Sequence, residues 1–190
     1  MTSRVHIERA ARIVLAGGVI AYPTEGVFGL GCLPQHRGAV ERLLAIKRRS
    51  WRKGLLLIGA DLSQLTRYVL LPEEPRRREI LASWPGAVTW VLNARPGVPR
   101  WVSGVGSRTV PTVAVRLTDH PLARALCERL GHALISTSAN LSGRPPLKRA
   151  LQVRRELGRT VDYVLPGPVG GLARPTAIKD GRTGRVLRAG

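Results

Sequence analysis

Residues 6–31 read HIERAARIVLAGGVIAYPTEGVFGLG, and the order of patterns within them decides the fold class. Ile7, Ala10, Ala11, Val14 and Leu15 recur at helical spacing over 6–16, and Gly17-Gly18 stops the pattern. Val19-Ile20-Ala21-Tyr22 is then an apolar run of strand length, closed by Pro23. A helix handing over to a buried strand, and the strand to a glycine-rich turn, is the unit of an α/β protein. The alternation continues outward. Helical spacing returns over 38–48 (Val40, Leu43, Leu44, Ile46), 75–84, 120–130 (Leu122, Ala125, Leu126, Leu130) and 148–157. Strand-length runs occupy 55–58, 88–92, 112–117, 134–135, 161–165, 176–179 and 185–188. The alternation is less regular than a βαβ repeat, so a mixed sheet is expected rather than a purely parallel one. The Pro- and Gly-rich stretches 94–111 and 166–175 read as long functional loops.

Composition bounds the class. The 190 residues suit a single domain over 1–190 with a real core, and 44% of them are apolar, too many for a disordered chain. No apolar run approaches membrane-spanning length, and the N-terminus lacks the apolar stretch of a secretory signal. Two cysteines cannot staple a scaffold, so a reducing, cytoplasmic setting and no membrane partner are expected. Lys and Arg number 31 against 12 acids, a net charge of +19. Such an excess draws polyanions (nucleotides, tRNA, double-stranded RNA), although a solvated basic surface would carry it equally well.

Several chemistries leave no trace. There is no phosphate loop of the G-x-x-x-x-G-K-[ST] type, no G-x-G-x-x-G after a strand and no H-E-x-x-H. Cys32 with His36 and Cys127 with His132 could be gathered into a zinc site, but Cys127 falls on the apolar side of a helix, where a small buried residue belongs. No serine sits in a nucleophile elbow.

Small polar and basic residues collect instead at strand ends, where α/β proteins place ligands. Tyr22-Pro23 leads into Thr24, Glu25 and three glycines that let backbone approach a ligand. Lys47-Arg48-Arg49-Ser50-Trp51-Arg52-Lys53 gathers five positive charges in seven residues, more than capping a helix C-terminus requires, and points to phosphate. Trp84-Pro85-Gly86 feeds a strand carrying Thr89. Arg116 sits in the apolar strand 112–117 and needs a partner; with acids so scarce, a bound carboxylate or phosphate is expected ahead of an internal acid. Ser136-Thr137-Ser138-Ala139-Asn140-Leu141-Ser142-Gly143 follows a buried strand with a run of donors suited to phosphate or ribose, or to capping a helix. Arg174-Pro175-Thr176 and Arg188 add a hydroxyl and cations near the C-terminus.

Taken in order, PTEGVFGLG, KRRSWRKG, WPGAVT, AVRLTDHP, STSANLSG and VLRAG resemble the motifs of the YrdC/TsaC family of threonylcarbamoyl-AMP synthases, most of all its short single-domain bacterial type. The resemblance runs from Gly18 to Gly190. It departs from the commoner P-T-D-T-V-Y-G-L-G at Glu25, Gly26 and Phe28, and from Lys/Asn-Pro at Lys53-Gly54. The resemblance implies an open twisted sheet flanked by helices around a large basic cavity. It implies synthesis of L-threonylcarbamoyladenylate and pyrophosphate from ATP, L-threonine and bicarbonate, with Mg2+ accompanying ATP. The tRNA-modification proteins of the threonylcarbamoyl pathway would take the product on to tRNA.

The carried-over site comprises Lys47, Arg49 and Arg116 as catalytic residues. Thr24, Thr89, Arg116 and Thr176 would line the threonine and bicarbonate pocket, and Lys47, Arg49, Ser136, Ser138, Asn140 and Arg188 would hold ATP. Two readings stand beside it: a carbamoyl-adenylate-forming enzyme, built on the same module in longer chains, and a structured-RNA-binding module without turnover. With four Trp, three Tyr and one Phe, the chain offers little stacking surface for single strands.

Overall fold

The structure, a computed structural model, describes residues 4–104, 110–141, 143–172 and 176–190. Ser142, Arg174 and Pro175, singled out above, lie outside the described residues. In chain order the elements are α1 (Arg4–Leu15), β1 (Ile20–Pro23), β2 (Phe28–Gly31), α2 (Arg37–Lys47), a 3-10 turn (Trp51–Lys53), β3 (Leu56–Gly59), α3 (Leu62–Thr66), α4 (Arg76–Ala82), β4 (Val88–Asn93), α5 (Arg100–Ser103), β5 (Thr112–Leu117), α6 (Pro121–Leu130), β6 (Leu134–Ile135), β7 (Thr137–Ser138), α7 (Ala150–Leu157), β8 (Tyr163–Val164), β9 (Ala177–Asp180) and β10 (Val186–Arg188). The class is the expected one, α/β with mixed sheets flanked by helices. The strands divide between two sheets rather than filling one, in the orders β7-β2-β1-β8 and β10-β9-β4-β5-β3-β6. β3–β5, β4–β9 and β1–β8 are parallel pairs, and the others antiparallel.

Alternation along the strands sorts side chains between two cores. Val19 and Ala21 join a cluster with Phe28, Leu30, Leu43, Trp90, Val113 and Val115. Ile20 and Tyr22 point the other way, into a cluster with Ala10, Val14, Leu126 and Leu134 beneath α1 and α6. Leu57 and Ile58 split in the same manner. Burial on both faces is why these strands read as continuous apolar runs.

β2 differs from expectation: its glycines suggested a loop, yet Ala21 faces Leu30 and Ile20 faces Gly31 in a regular antiparallel ladder. Glycine is a poor strand former, and close approach overrides that preference here. A Cβ on Gly31 would stand 2.4 Å from the carbonyl oxygen of Ile135, so only glycine lets β2 lie against β6. Two further short helices, α3 and α5, escaped the pattern because each has fewer than two turns; α5 interrupts the stretch expected as a long loop.

One residue carries the chain from one sheet to the other. β6 belongs to the six-stranded sheet and β7 to the four-stranded one, and Ser136 between them donates its backbone N–H to Leu56 O at 2.8 Å. The hydroxyl-rich run thus begins where the two sheets meet.

Candidate active site

The two sheets enclose a cavity of about 590 Å³. β3, β4, β5 and β9 supply an apolar floor from Leu56, Val91, Ala114 and Ile178, with Arg116 at one end. Thr24, Gly26 and Val27 come from the turn joining β1 to β2, Gly29 from β2 itself, and Ser136, Thr137 and Ser138 from the sheet crossing. Arg49, Arg52, Lys53 and Gly54 form the rim, and Thr176 and Arg188 close the C-terminal side.

The rim follows from how α2 ends. Arg48 adopts a left-handed conformation (φ 46°, ψ 46°) and its N–H turns back to Ala45 O and Leu44 O. That turn leaves Lys47 pointing inward, 7% exposed, and sends Arg49 out to the cavity. The 3-10 turn that follows is capped by Ser50, whose hydroxyl accepts from Arg52 N. It nests against α5: a Cβ on Gly104 (φ +72°) would stand 2.5 Å from Gly54 N and 2.6 Å from Arg52 O. Arg52 lies over the Trp51 ring, 5.7 Å from its centroid.

Lys47 is the first site residue whose place differs from expectation. It does not line the cavity. Its ammonium donates to Ser138 O (2.6 Å), Asn140 O (2.7 Å) and Asn140 Oδ1 (2.5 Å), so all three N–H bonds are used internally. Asn140 Oδ1 also accepts from Ser138 Oγ at 2.7 Å, and its amide donates to Arg144 O. Lys47 and Asn140 therefore form a clamp that shapes the 136–140 segment. Desolvation, with help from the Arg49 charge, lowers the Lys47 ammonium to about 8. Among the described residues the Arg49 guanidinium makes one hydrogen bond, Nη2 to Gly54 O at 3.1 Å, and partial desolvation lowers its pKa.

Arg116 corrects a second expectation. Its partner is an internal acid after all: Nη2 donates to Glu25 Oε2 at 2.8 Å, with side-chain exposures of 5% and 9%. Nη1 donates to Thr176 Oγ1 at 2.9 Å, and Thr118 Oγ1 donates to the other Glu25 oxygen at 2.6 Å. Sequence reasoning passed over Glu25 and Thr118 because the partners are 91 and 93 residues apart in the chain. Scarcity of acids argued against such a pair, yet a buried guanidinium is the place where a rare acid is most needed.

The cavity thus brings together Thr24, Arg49, Arg116, Ser136, Ser138, Thr176 and Arg188. Thr89 stands behind it, fully buried, its hydroxyl 3.5 Å from Thr176 Oγ1. Arg188 donates to Thr176 O at 2.7 Å; partial desolvation and then Arg116 lower its pKa. Cys32 and Cys127 lie in separate cores, where burial pushes each thiol up to about 12. His36 Nδ1 accepts from Ala39 N as the α2 cap.

Strand ends and a sheet crossing that converge on one cavity of hydroxyls and cations over an apolar floor define a ligand-handling α/β protein. The chain belongs to the Sua5/YciO/YrdC family, described under the heading of telomere recombination, which it matches over residues 12–190. A protein of Nitrosococcus oceani named threonylcarbamoyl-AMP synthase is 54% identical over 182 residues, 96% of each chain. Among solved structures, E. coli YciO superposes with a TM-score of 0.85 at 29% identity, covering 99% of this chain and 90% of that one. P. abyssi Sua5 complexed with L-threonine gives a TM-score of 0.80 at 32% identity, over 92% of this chain. This chain spans 50% of that Sua5 chain.

Proposed function

We infer that the chain is a threonylcarbamoyl-AMP synthase, forming L-threonylcarbamoyladenylate and pyrophosphate from L-threonine, bicarbonate and ATP. The observation that carries this reading is near-full-length similarity to proteins of that name, joined to one cavity where hydroxyls, cations and an apolar floor converge.

The chemistry assigns tasks to the residues. The threonine amine and bicarbonate give a carbamate and water; a carbamate oxygen then attacks the α-phosphorus of ATP, and pyrophosphate leaves. The reactants are anionic, so stabilisation rests on fixed positive charge and on positioning. Arg49 and Arg188 take phosphate oxygens, with Arg52 and Lys53 beside them at the rim. Ser136 and Ser138 hold nucleotide oxygens. Arg116, with Thr24 and Thr176, receives the amino acid and its carbamate. Lys47 and Asn140 act on ATP through the loop they clamp, and Thr89 supports Thr176 from behind.

Mg2+ arrives with the triphosphate: the described cavity lining offers no carboxylate to hold it. The adenylate passes to the tRNA-modification proteins of the threonylcarbamoyl pathway for transfer next to the anticodon. The exposed arginines provide for contact with tRNA.

The test is adenylate and pyrophosphate formation by purified protein with ATP, Mg2+ and bicarbonate, with and without L-threonine. Threonine-dependent formation of both products is expected. Tight ATP or RNA binding with no turnover would replace the synthase with a binding module.

A further inference from the structure

Glu25 occupies an unusual position beside the cavity. It is 7% exposed and both its carboxylate oxygens are engaged, one by Arg116 Nη2 and the other by Thr118 Oγ1. A buried guanidinium and carboxylate commonly close a two-pronged pair. Here Thr118 takes the second oxygen, and Arg116 Nε remains buried without a partner. The guanidinium is neutralised without being saturated.

The backbone holds the carboxylate in that place. Leu172 N donates to Glu25 O at 3.0 Å, and a Cβ on Gly170 would lie 2.9 Å from the same carbonyl oxygen. The segment through 170–172 therefore packs directly on Glu25. The other cations of the cavity differ. Among the described residues, no carboxylate forms an ion pair with Arg49, Arg52, Lys53 or Arg188.

We propose that Glu25 is a specificity-determining residue: its negative charge makes the Arg116 end of the cavity a seat for a net-neutral, zwitterionic amino acid and directs phosphate groups to the unpaired cations at the rim. The inference rests on the reading above that Arg116 receives the amino acid. A lone guanidinium attracts phosphate more strongly than a zwitterion, because its interaction grows with the ligand's net charge. A carboxylate 2.8 Å away cancels that advantage and repels a polyanion. It leaves the second N–H of Nη1 and of Nη2 to make directional bonds to an amino-acid carboxylate, while the buried Nε takes no part. Glu25 does not serve as a base, since both of its oxygens are occupied and it is absent from the cavity lining.

The experiment follows adenylate formation by the wild type, Glu25→Gln and Glu25→Asp while inorganic phosphate is titrated against each substrate. In the wild type, phosphate should compete with ATP and not with threonine. In Glu25→Gln, phosphate should become competitive with threonine. The KM for threonine should rise at least tenfold, and the KM for ATP should stay within twofold. Glu25→Asp, which keeps the charge, should keep the wild-type inhibition pattern. Threonine and ATP KM values rising together in Glu25→Gln, with an unchanged inhibition pattern, would reduce Glu25 to a structural residue.

Should Glu25→Gln fail to fold, NMR of the wild type decides: phosphate must leave bound threonine in place, and displacement of threonine overturns the inference. A wild type that makes no adenylate would defeat the synthase reading, while the phosphate–threonine competition would still judge Glu25.

Discussion

Arg116 and Arg49 face the same cavity under opposite conditions. Arg116 sits near the end of β5, buried, with its orientation set by Glu25 and Thr176 before any ligand arrives. Arg49 follows a helix end and is exposed, and among the described residues its guanidinium hydrogen-bonds to Gly54 O alone. Preorganisation of this kind removes an ordering cost at the inner end and leaves one to be met at the rim. Lys47 belongs with Arg116 in being buried and held by internal partners, all three of its N–H bonds being used, whereas Arg49, two residues along the chain, is exposed. The difference teaches that a run of basic residues is not one functional unit. Its members divide into internal supports and exposed groups facing the cavity according to which way the backbone turns at Arg48.

The comparison can be broken most sharply at Arg49. Arg49→Ala should cut kcat/KM about 30- to 1,000-fold, corresponding to about 2–4 kcal/mol of transition-state stabilisation, with little change in melting temperature. Near-normal pyrophosphate release would remove Arg49 from the phosphate site.

Lys47→Met should behave differently, lowering activity and stability together. It leaves Ser138 O, Asn140 O and Asn140 Oδ1 without their ammonium donor, a cost of about 1–3 kcal/mol. Denaturant melts beside kinetics would separate the two cases. A Lys47 variant that loses activity with full stability would move Lys47 to the ligand-contacting group.

The pH dependence of stability sharpens the same point. Folded Lys47 releases its proton near 8, against an ordinary value of 10.5. Between those values the unfolded chain holds more protons, so the Lys47 contribution favours folding increasingly as pH rises. Wild type should therefore gain stability relative to Lys47→Met across that window in urea melts at stepped pH. A flat difference would place the ammonium in a better-solvated setting.

The smallest effect is expected at Arg48, the left-handed residue that separates Lys47 from Arg49. Arg48→Gly should relieve that conformation and stabilise the fold by about 0.5–1 kcal/mol, with kcat unchanged. A loss of activity would show that the Arg48 side chain, and not only its backbone, serves the site.

Much of this was legible in the sequence, for identifiable reasons. α1, α6 and the long strands announced themselves because each buries a periodic apolar face. Thr24, Arg49, Ser136, Ser138 and Arg188, which line the cavity, were legible as candidates because they sit at or near strand and helix ends, where sequence patterns break. β2 was missed because Gly31 answers to Ile135, more than 100 residues away, and not to local propensity. The inward placement of Lys47 and Asn140 was missed because nothing local distinguishes Lys47 from Arg49.

By itself, then, the sequence determined the α/β class, the apolar faces and the short polar motifs, since these depend on periodicity and on residues adjacent in the chain. Only the tertiary structure decided that the strands form two sheets, that Glu25 neutralises Arg116 and that Lys47 is a clamp. The last two rest on partners 91 or more residues apart, and the two sheets meet where Ser136 crosses between them. Whether a charge is free or already paired depends on that meeting, and no pattern along the chain records it.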